Sequence, residues 1–140
     1  MSRVVLDTNI FVSALLKQNG VCGLILRAWK NQEFTLLYSQ ELILELKDVV
    51  QYIRLKPRLV NNRIGALIRR IRLRGFRVYN NRNFVSSTDP KDDFLIAVAQ
   101  NGDADYLISR DVQGILELSL GKIQVLTPET FLQLLKKVRS

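Results

Sequence analysis

Five short apolar runs, at residues 3–6, 34–38, 76–79, 106–109 and 123–126, are separated by stretches whose apolar residues recur at helical spacing. Strands that alternate with helices in this way call for right-handed crossovers, which give a parallel sheet with helices on both faces. The expected architecture is therefore α/β, in three layers. Ile10, Phe11, Ala14 and Leu15 mark a first helix before Asn19-Gly20 breaks the pattern, and a second runs from Val21 to Lys30. Ser39 is placed to cap a helix over residues 40 to about 53. After Pro57 the chain restarts, and Leu67, Ile68, Ile71 and Arg74 predict a helix over about 59–74, with Gly75 ending it. Asp89-Pro90 opens another that ends near Asn101-Gly102. Pro128 starts a terminal helix with Phe131, Leu134, Leu135 and Val138 as its apolar side.

A chain of 140 residues that is 47% hydrophobic suits one domain spanning 1–140, able to bury a core without disulfides or structural metal. Cys22, the single cysteine, reads as a small buried apolar residue and excludes a multi-cysteine zinc site. No run approaches the roughly 20 apolar residues of a membrane span, so a cytoplasmic protein without a membrane partner is the expectation.

Four acids stand where this topology turns toward one end of the sheet. Asp7 follows Val4-Val5-Leu6, and Asp111 comes just after Tyr106-Leu107-Ile108-Ser109. Both would emerge beyond the carboxyl ends of buried strands, where open α/β sheets bind ligands, although both could also cap the helices that follow. In the helix after Ser39, Leu42, Leu46, Val49 and Ile53 form the core stripe, and Glu45 lies about 60° from Leu42 at its edge, whereas Glu41 and Asp48 lie farther round. Asp89 as N-cap and Asp92 at the third helical position have local duties toward free backbone N–H groups. Asp93 has none, and it opens the apolar run Phe94-Leu95-Ile96-Ala97-Val98-Ala99.

Carboxylates gathered this way repel by roughly 4 kcal/mol per pair at 4 Å and an effective dielectric of 20. A hard cation, Mg²⁺ or Mn²⁺, relieves that repulsion and suits an all-oxygen site facing phosphates. Such an ion can activate water for attack on a phosphodiester. With no histidine and one cysteine, the chain has no Ser-His-Asp or Cys-His nucleophile.

The formal charge of +8 is concentrated: residues 49–88 hold ten Lys or Arg and no acid, and the other residues hold 11 bases against 13 acids. The ten are Arg54, Lys56, Arg58, Arg63, Arg69, Arg70, Arg72, Arg74, Arg77 and Arg82. An arginine-dominated block suits a phosphate backbone, and an acidic protein would be attracted equally well.

Taken together, Val4-Val5-Leu6-Asp7-Thr8-Asn9, Ser39 with Glu45, Asp92-Asp93 before Ala97-Val98-Ala99, and Ser109-Arg110-Asp111 resemble the PIN-domain family of metal-dependent ribonucleases over nearly the whole chain. The resemblance implies a parallel sheet of four to five strands, a cytoplasmic homodimer and single-stranded RNA as substrate. It also implies Asp7, Glu45 and Asp93 as the acidic metal-binding core, with Asp111 as a more variable fourth acid. Thr8 belongs to the opening motif, and Asn9 and Ser109 are implied as polar supports for the carboxylates. Arg110 stands where many members have glycine, so it becomes a candidate phosphate contact beside Arg54, Lys56, Arg58, Arg69, Arg70, Arg72 and Arg74. The Asp-Pro-Lys-Asp-Asp run and the length look most like the subgroup described as toxins of toxin-antitoxin pairs. An antitoxin partner would occupy the metal cleft with an acidic or arginine-bearing segment. The competing expectation is a non-catalytic RNA-binding or protein-interaction module that works through its basic segment. Phosphoacceptor signalling domains share the topology, but the acidic pair and late-strand lysine expected there are missing.

Overall fold

The computed structural model describes residues 1–51, 57–79, 90–111 and 120–139, with side chains described throughout these segments except at 50, 57–62, 90–93 and 139. The described elements are β1 (Arg3–Leu6), α1 (Thr8–Leu16), α2 (Val21–Lys30), β2 (Thr35–Tyr38), α3 (Gln40–Gln51), α4 (Pro57–Arg74), β3 (Phe76–Arg77), α5 (Pro90–Asn101), β4 (Tyr106–Ile108), β5 (Gln124–Leu126) and α6 (Pro128–Arg139). The strands form one five-stranded sheet in the order β3-β2-β1-β4-β5, and every pairing is parallel.

Strand side chains alternate between two cores, as a period of two requires. Val4, Leu6, Leu36, Tyr38 and Ile108 join the apolar faces of α1, α2, α3, α4 and α6. Val5, Leu37 and Leu107 face the opposite way, against Leu95, Ile96, Val98 and Ala99 of α5. Since both faces are covered, the central strands read as unbroken apolar runs. The chain moves from β1 outward to β2 and β3, and then α5 returns it across the other face to β4 on the far side of β1. The order therefore reverses between β1 and β4.

Local chemistry sets the element ends. Ser39 Oγ accepts the Leu42 N–H at 3.2 Å, so the expected N-cap of α3 is formed. Thr127 Oγ1 does the same for α6, taking the Thr130 N–H at 3.2 Å. Between α1 and α2 the chain bends by 102°. Only glycine fits inside that bend, because a Cβ at Gly23 would stand 2.0 Å from the Gln18 carbonyl oxygen. Among the described residues no single helix is long and apolar enough to cross a membrane.

Three boundaries differ from expectation. The third strand is two residues long, although the Val78 N–H still reaches the Tyr38 carbonyl at 2.7 Å, because an edge strand has a neighbour on one side only. In α4 the first helical residue is Pro57, since proline is preorganised for that position. On α6 the buried side is Phe131, Leu132 and Leu135, while Val138 is 79% exposed. Val138 falls on the apolar stripe by angle, but in the last turn of the helix it is left in solvent.

Candidate active site

The point where the strand order reverses is where an α/β sheet opens a crevice beyond its carboxyl edge. Asp7 leaves β1 and Ser109 leaves β4 at that point, and the two strands are held in register by Leu6 opposite Ile108. The Asp7 N–H bonds the Ile108 carbonyl at 3.0 Å, and the Ser109 N–H bonds the Leu126 carbonyl at 3.0 Å, so both residues continue the ladder.

From there two sets of side-chain hydrogen bonds extend, one around Asp7 and one from its neighbour Thr8. Ser109 Oγ donates to Asp7 Oδ2 at 2.9 Å and accepts the Asp111 N–H at 3.1 Å. Asp7 Oδ1 accepts the Asn9 N–H at 3.3 Å, which makes Asp7 the N-cap of α1 as well. Thr8, only 2% exposed, donates its hydroxyl to Glu45 Oε2 at 3.0 Å. A buried hydroxyl needs such a partner. Glu45 is half-buried in α3, whereas Glu41 and Asp48 on the same helix are exposed.

Asp7 with Ser109 and Thr8 with Glu45 thus form two hydrogen-bonded pairs side by side in one patch, and Asp111, itself exposed, is joined to Ser109 through its backbone. The Asn9 side chain is exposed, so its contribution to Asp7 is the backbone N–H and not the amide. Asp93 is the fourth residue of α5, and its side chain lies outside the described residues. Its backbone position follows from topology: α5 ends where Asp105 N–H meets the Arg3 carbonyl at the amino edge of the sheet. Twelve helical residues rise roughly 18 Å from there, so the first turn of α5 lies toward the carboxyl edge. Among the described residues no three Asp, Glu, His or Cys side chains form a group able to hold a metal ion.

The donor chemistry of the patch suits a hard cation all the same. No Lys or Arg is paired with Asp7 among the described residues, and its neighbours are hydroxyl and amide donors. Each carboxylate oxygen has two lone pairs, and one hydrogen bond to each of Asp7 Oδ1 and Asp7 Oδ2 leaves coordination capacity on that carboxylate.

Arg110, the candidate phosphate contact, is engaged in an ion pair while its side chain stays half exposed. Its Nη1 pairs with Glu129 Oε1 at 2.8 Å, and Nη2 lies 3.7 Å from Cys22 Sγ. The hydrogen bond from Arg110 lowers the Glu129 pKa from its ordinary 4.5. Burial raises that of Cys22 above its ordinary 9.0 despite the nearby guanidinium, so the thiol stays protonated at neutral pH. The pair ties the loop of Ser109 and Asp111 to the first turn of α6. Both partners are about half exposed, at 53% and 51%, so the contribution is that of a surface pair, about 0.2–1 kcal/mol. A lowered carboxylate pKa stabilises the fold above the unfolded value and loses that effect as pH falls through the folded value. Glu129→Gln should accordingly cost under about 1 kcal/mol in urea denaturation at pH 7. The difference from wild type should shrink as pH falls through the lowered Glu129 pKa; a gap that does not change with pH would contradict the pairing as its cause.

Of the basic residues expected to meet nucleic acid, Arg54, Lys56 and Arg82 lie outside the described residues, as does the side chain of Arg58. Arg69, Arg70 and Arg74 line a groove on α4, together with Arg63. Arg72 is exposed outside that groove, and Arg77 stacks 4.7 Å over the Tyr79 ring. Arg27 and Lys30 of α2 share the groove and were not anticipated, because they lie outside the basic block. Their spacing of three, which puts them on one helix face, was the available signal.

A family model described as a PIN domain matches residues 3–113. The uncharacterised protein MJ1680 of Methanocaldococcus jannaschii is 29% identical over 143 aligned positions, which cover 96% of this chain and 92% of that protein. No solved structure matches.

Proposed function

Because this chain belongs to the PIN-domain family, whose members are generally divalent-metal nucleases acting on RNA, we propose that it is a Mg²⁺- or Mn²⁺-dependent endoribonuclease cutting single-stranded RNA. The observation that carries this reading is the two hydrogen-bonded pairs Thr8–Glu45 and Ser109–Asp7, brought together by the adjacent residues Asp7 and Thr8 at the carboxyl edge, where the strand order reverses. Asp7, Glu45 and Asp93 would hold the ion, with Asp111 as a fourth acid.

When bound, the ion supplies an activated water and offsets charge that develops on the phosphodiester oxygens. The chain's own residues provide orientation. Ser109 and Thr8 each donate to one carboxylate oxygen, which fixes the rotamers of Asp7 and Glu45 before any ligand arrives. The Asn9 N–H, at the start of α1, donates to Asp7 Oδ1 and so holds the second carboxylate oxygen in place.

The test is incubation of the purified protein with single-stranded and duplex RNAs in Mn²⁺, with and without chelator, alongside Asp93→Asn. Cleavage of the single strands that vanishes with chelator and in Asp93→Asn, while RNA binding survives in the variant, is the expected result. RNA binding without any cleavage by the wild type would leave the non-catalytic module instead. Within the same proposal the protein is a cytoplasmic homodimer and the toxin of a toxin-antitoxin pair, a role motivated by the Asp89-Pro90-Lys91-Asp92-Asp93 run and the chain length. Growth arrest on induced expression, relieved by Asp93→Asn, checks that role, and sedimentation checks the dimer; unimpeded growth or a monomer sinks the respective claim.

A further inference from the structure

A groove of about 630 Å³ runs between α2 and α4, closed below by the last turn of α1. Arg27 and Lys30 form one wall, and Arg63, Arg69, Arg70 and Arg74 form the other; no carboxylate lines it among the described residues. All of these cations except Arg63 are exposed. Arg63 is half-buried and donates to the Leu15 carbonyl at 3.1 Å, which fastens α4 to the end of α1. From Arg63 to Arg74 the α4 wall rises roughly 16 Å, room for a few successive phosphates.

The floor decides which polyanion fits. Ala14, Leu15, Leu26 and Leu67 line the groove, but none is more than 8% exposed, so they are already spent on the core. Leu73, 75% exposed, and the small exposed Ala66 are what the groove offers as apolar surface. An amphipathic acidic helix needs a row of apolar pockets or large anchors at helical spacing, and one leucine with one alanine does not make a row. A phosphate backbone needs cations, and five of the six here are arginines, whose planar forks match phosphate oxygens. No aromatic ring lines the walls, so bases are not stacked, and recognition is indifferent to their identity.

We propose that the α2–α4 groove binds the sugar-phosphate backbone of single-stranded RNA at a site separate from the acid patch. This rests on the ribonuclease reading above. Asp7 caps the start of α1, while Ala14 and Leu15 at its other end border the groove, a rise of roughly 11 Å. One strand can therefore engage both places, with the groove holding RNA while a phosphodiester farther along reaches the acids.

The test is fluorescence anisotropy of a labelled oligouridine in EDTA, where cleavage plays no part. Arg27→Gln/Arg70→Gln should weaken binding about tenfold and make the log Kd against log salt slope shallower by about 1.4, near 0.7 per lost phosphate contact. Lys122→Gln/Lys136→Gln removes the same charge from exposed positions outside the groove and outside the basic block, and should weaken binding by less than about threefold. Equal losses in the two doubles, or wild-type binding by the first, overturn the proposal. So does a first double that keeps oligouridine and loses a poly-glutamate peptide, since that assigns the groove to an acidic protein. Wild-type protein that fails to cut RNA in Mn²⁺, with the groove result intact, sinks the ribonuclease reading alone. Cleavage with no groove effect sinks the groove alone.

Discussion

Asp7→Asn should lower kcat/KM for RNA by about 10²–10³-fold, the several kcal/mol expected when a carboxylate that holds a catalytic ion is neutralised. Its thermal midpoint should hardly move. Asn and Asp are equivalent N-caps, so the amide oxygen keeps the bond from the Asn9 N–H, and the amide nitrogen, in the place of Oδ2, can donate to Ser109 Oγ once that hydroxyl turns. The substitution therefore removes charge and keeps shape. Asp7→Ala would be a poorer test, because it also removes the cap, at a cost of about 1 kcal/mol. If Asp7→Asn cuts RNA as well as the wild type does, Asp7 is a helix cap and nothing more.

The largest expected effect on stability is at Phe131. Its side chain is 1% exposed and sits edge-on to Phe34 with ring centroids 5.3 Å apart, with Tyr106 at 5.9 Å. Through these contacts α6 is seated on β4 and on the start of β2, and the helix also packs on α2. Phe131→Ala should cost about 3–5 kcal/mol in urea denaturation, from lost burial and the cavity left behind. That is a large part of the stability of a chain this size. Because Glu129 lies two residues earlier on the same helix and grips Arg110, the variant should also loosen the loop carrying Ser109 and Asp111. A loss below about 1 kcal/mol would show that the site collapses around the smaller side chain, and that α6 contributes little.

Much of this structure is legible in the amino-acid order. Apolar triplets such as Val4-Val5-Leu6, unbroken by polar residues, mark strands covered on both faces, and the intervening helices force the parallel pairing. Ser39 is readable as a cap because its position before the apolar stripe of α3 admits little else. The nearness of Asp7 and Ser109 follows from their places just past two strands, yet nothing local says that those strands are neighbours. That depends on α5 crossing the sheet.

Other parts depend on three-dimensional contacts that spacing does not encode. Thr8 looks like one polar residue of an opening motif; its burial beneath Glu45, 37 positions away, makes it a support for the second acid. Nothing local in Ser109-Arg110-Asp111 points to Glu129, 19 positions on, as the partner of Arg110. Arg27 and Lys30 vanish in a count of charge along the chain, because the groove they share with α4 is built from helices far apart in sequence. Val138 fits the apolar stripe of α6 by angle, and the last turn nevertheless leaves it in solvent.

The most direct measurement is a Mn²⁺ titration followed by electron paramagnetic resonance on the wild type and four single variants. Asp7→Asn, Glu45→Gln and Asp93→Asn should each weaken Mn²⁺ binding by about tenfold or more, as expected from loss of a direct carboxylate ligand. Asp48→Asn, exposed on the same helix as Glu45, should bind like the wild type. If the first three variants also bind Mn²⁺ like the wild type, these acids do not share an ion, and the central claim is wrong.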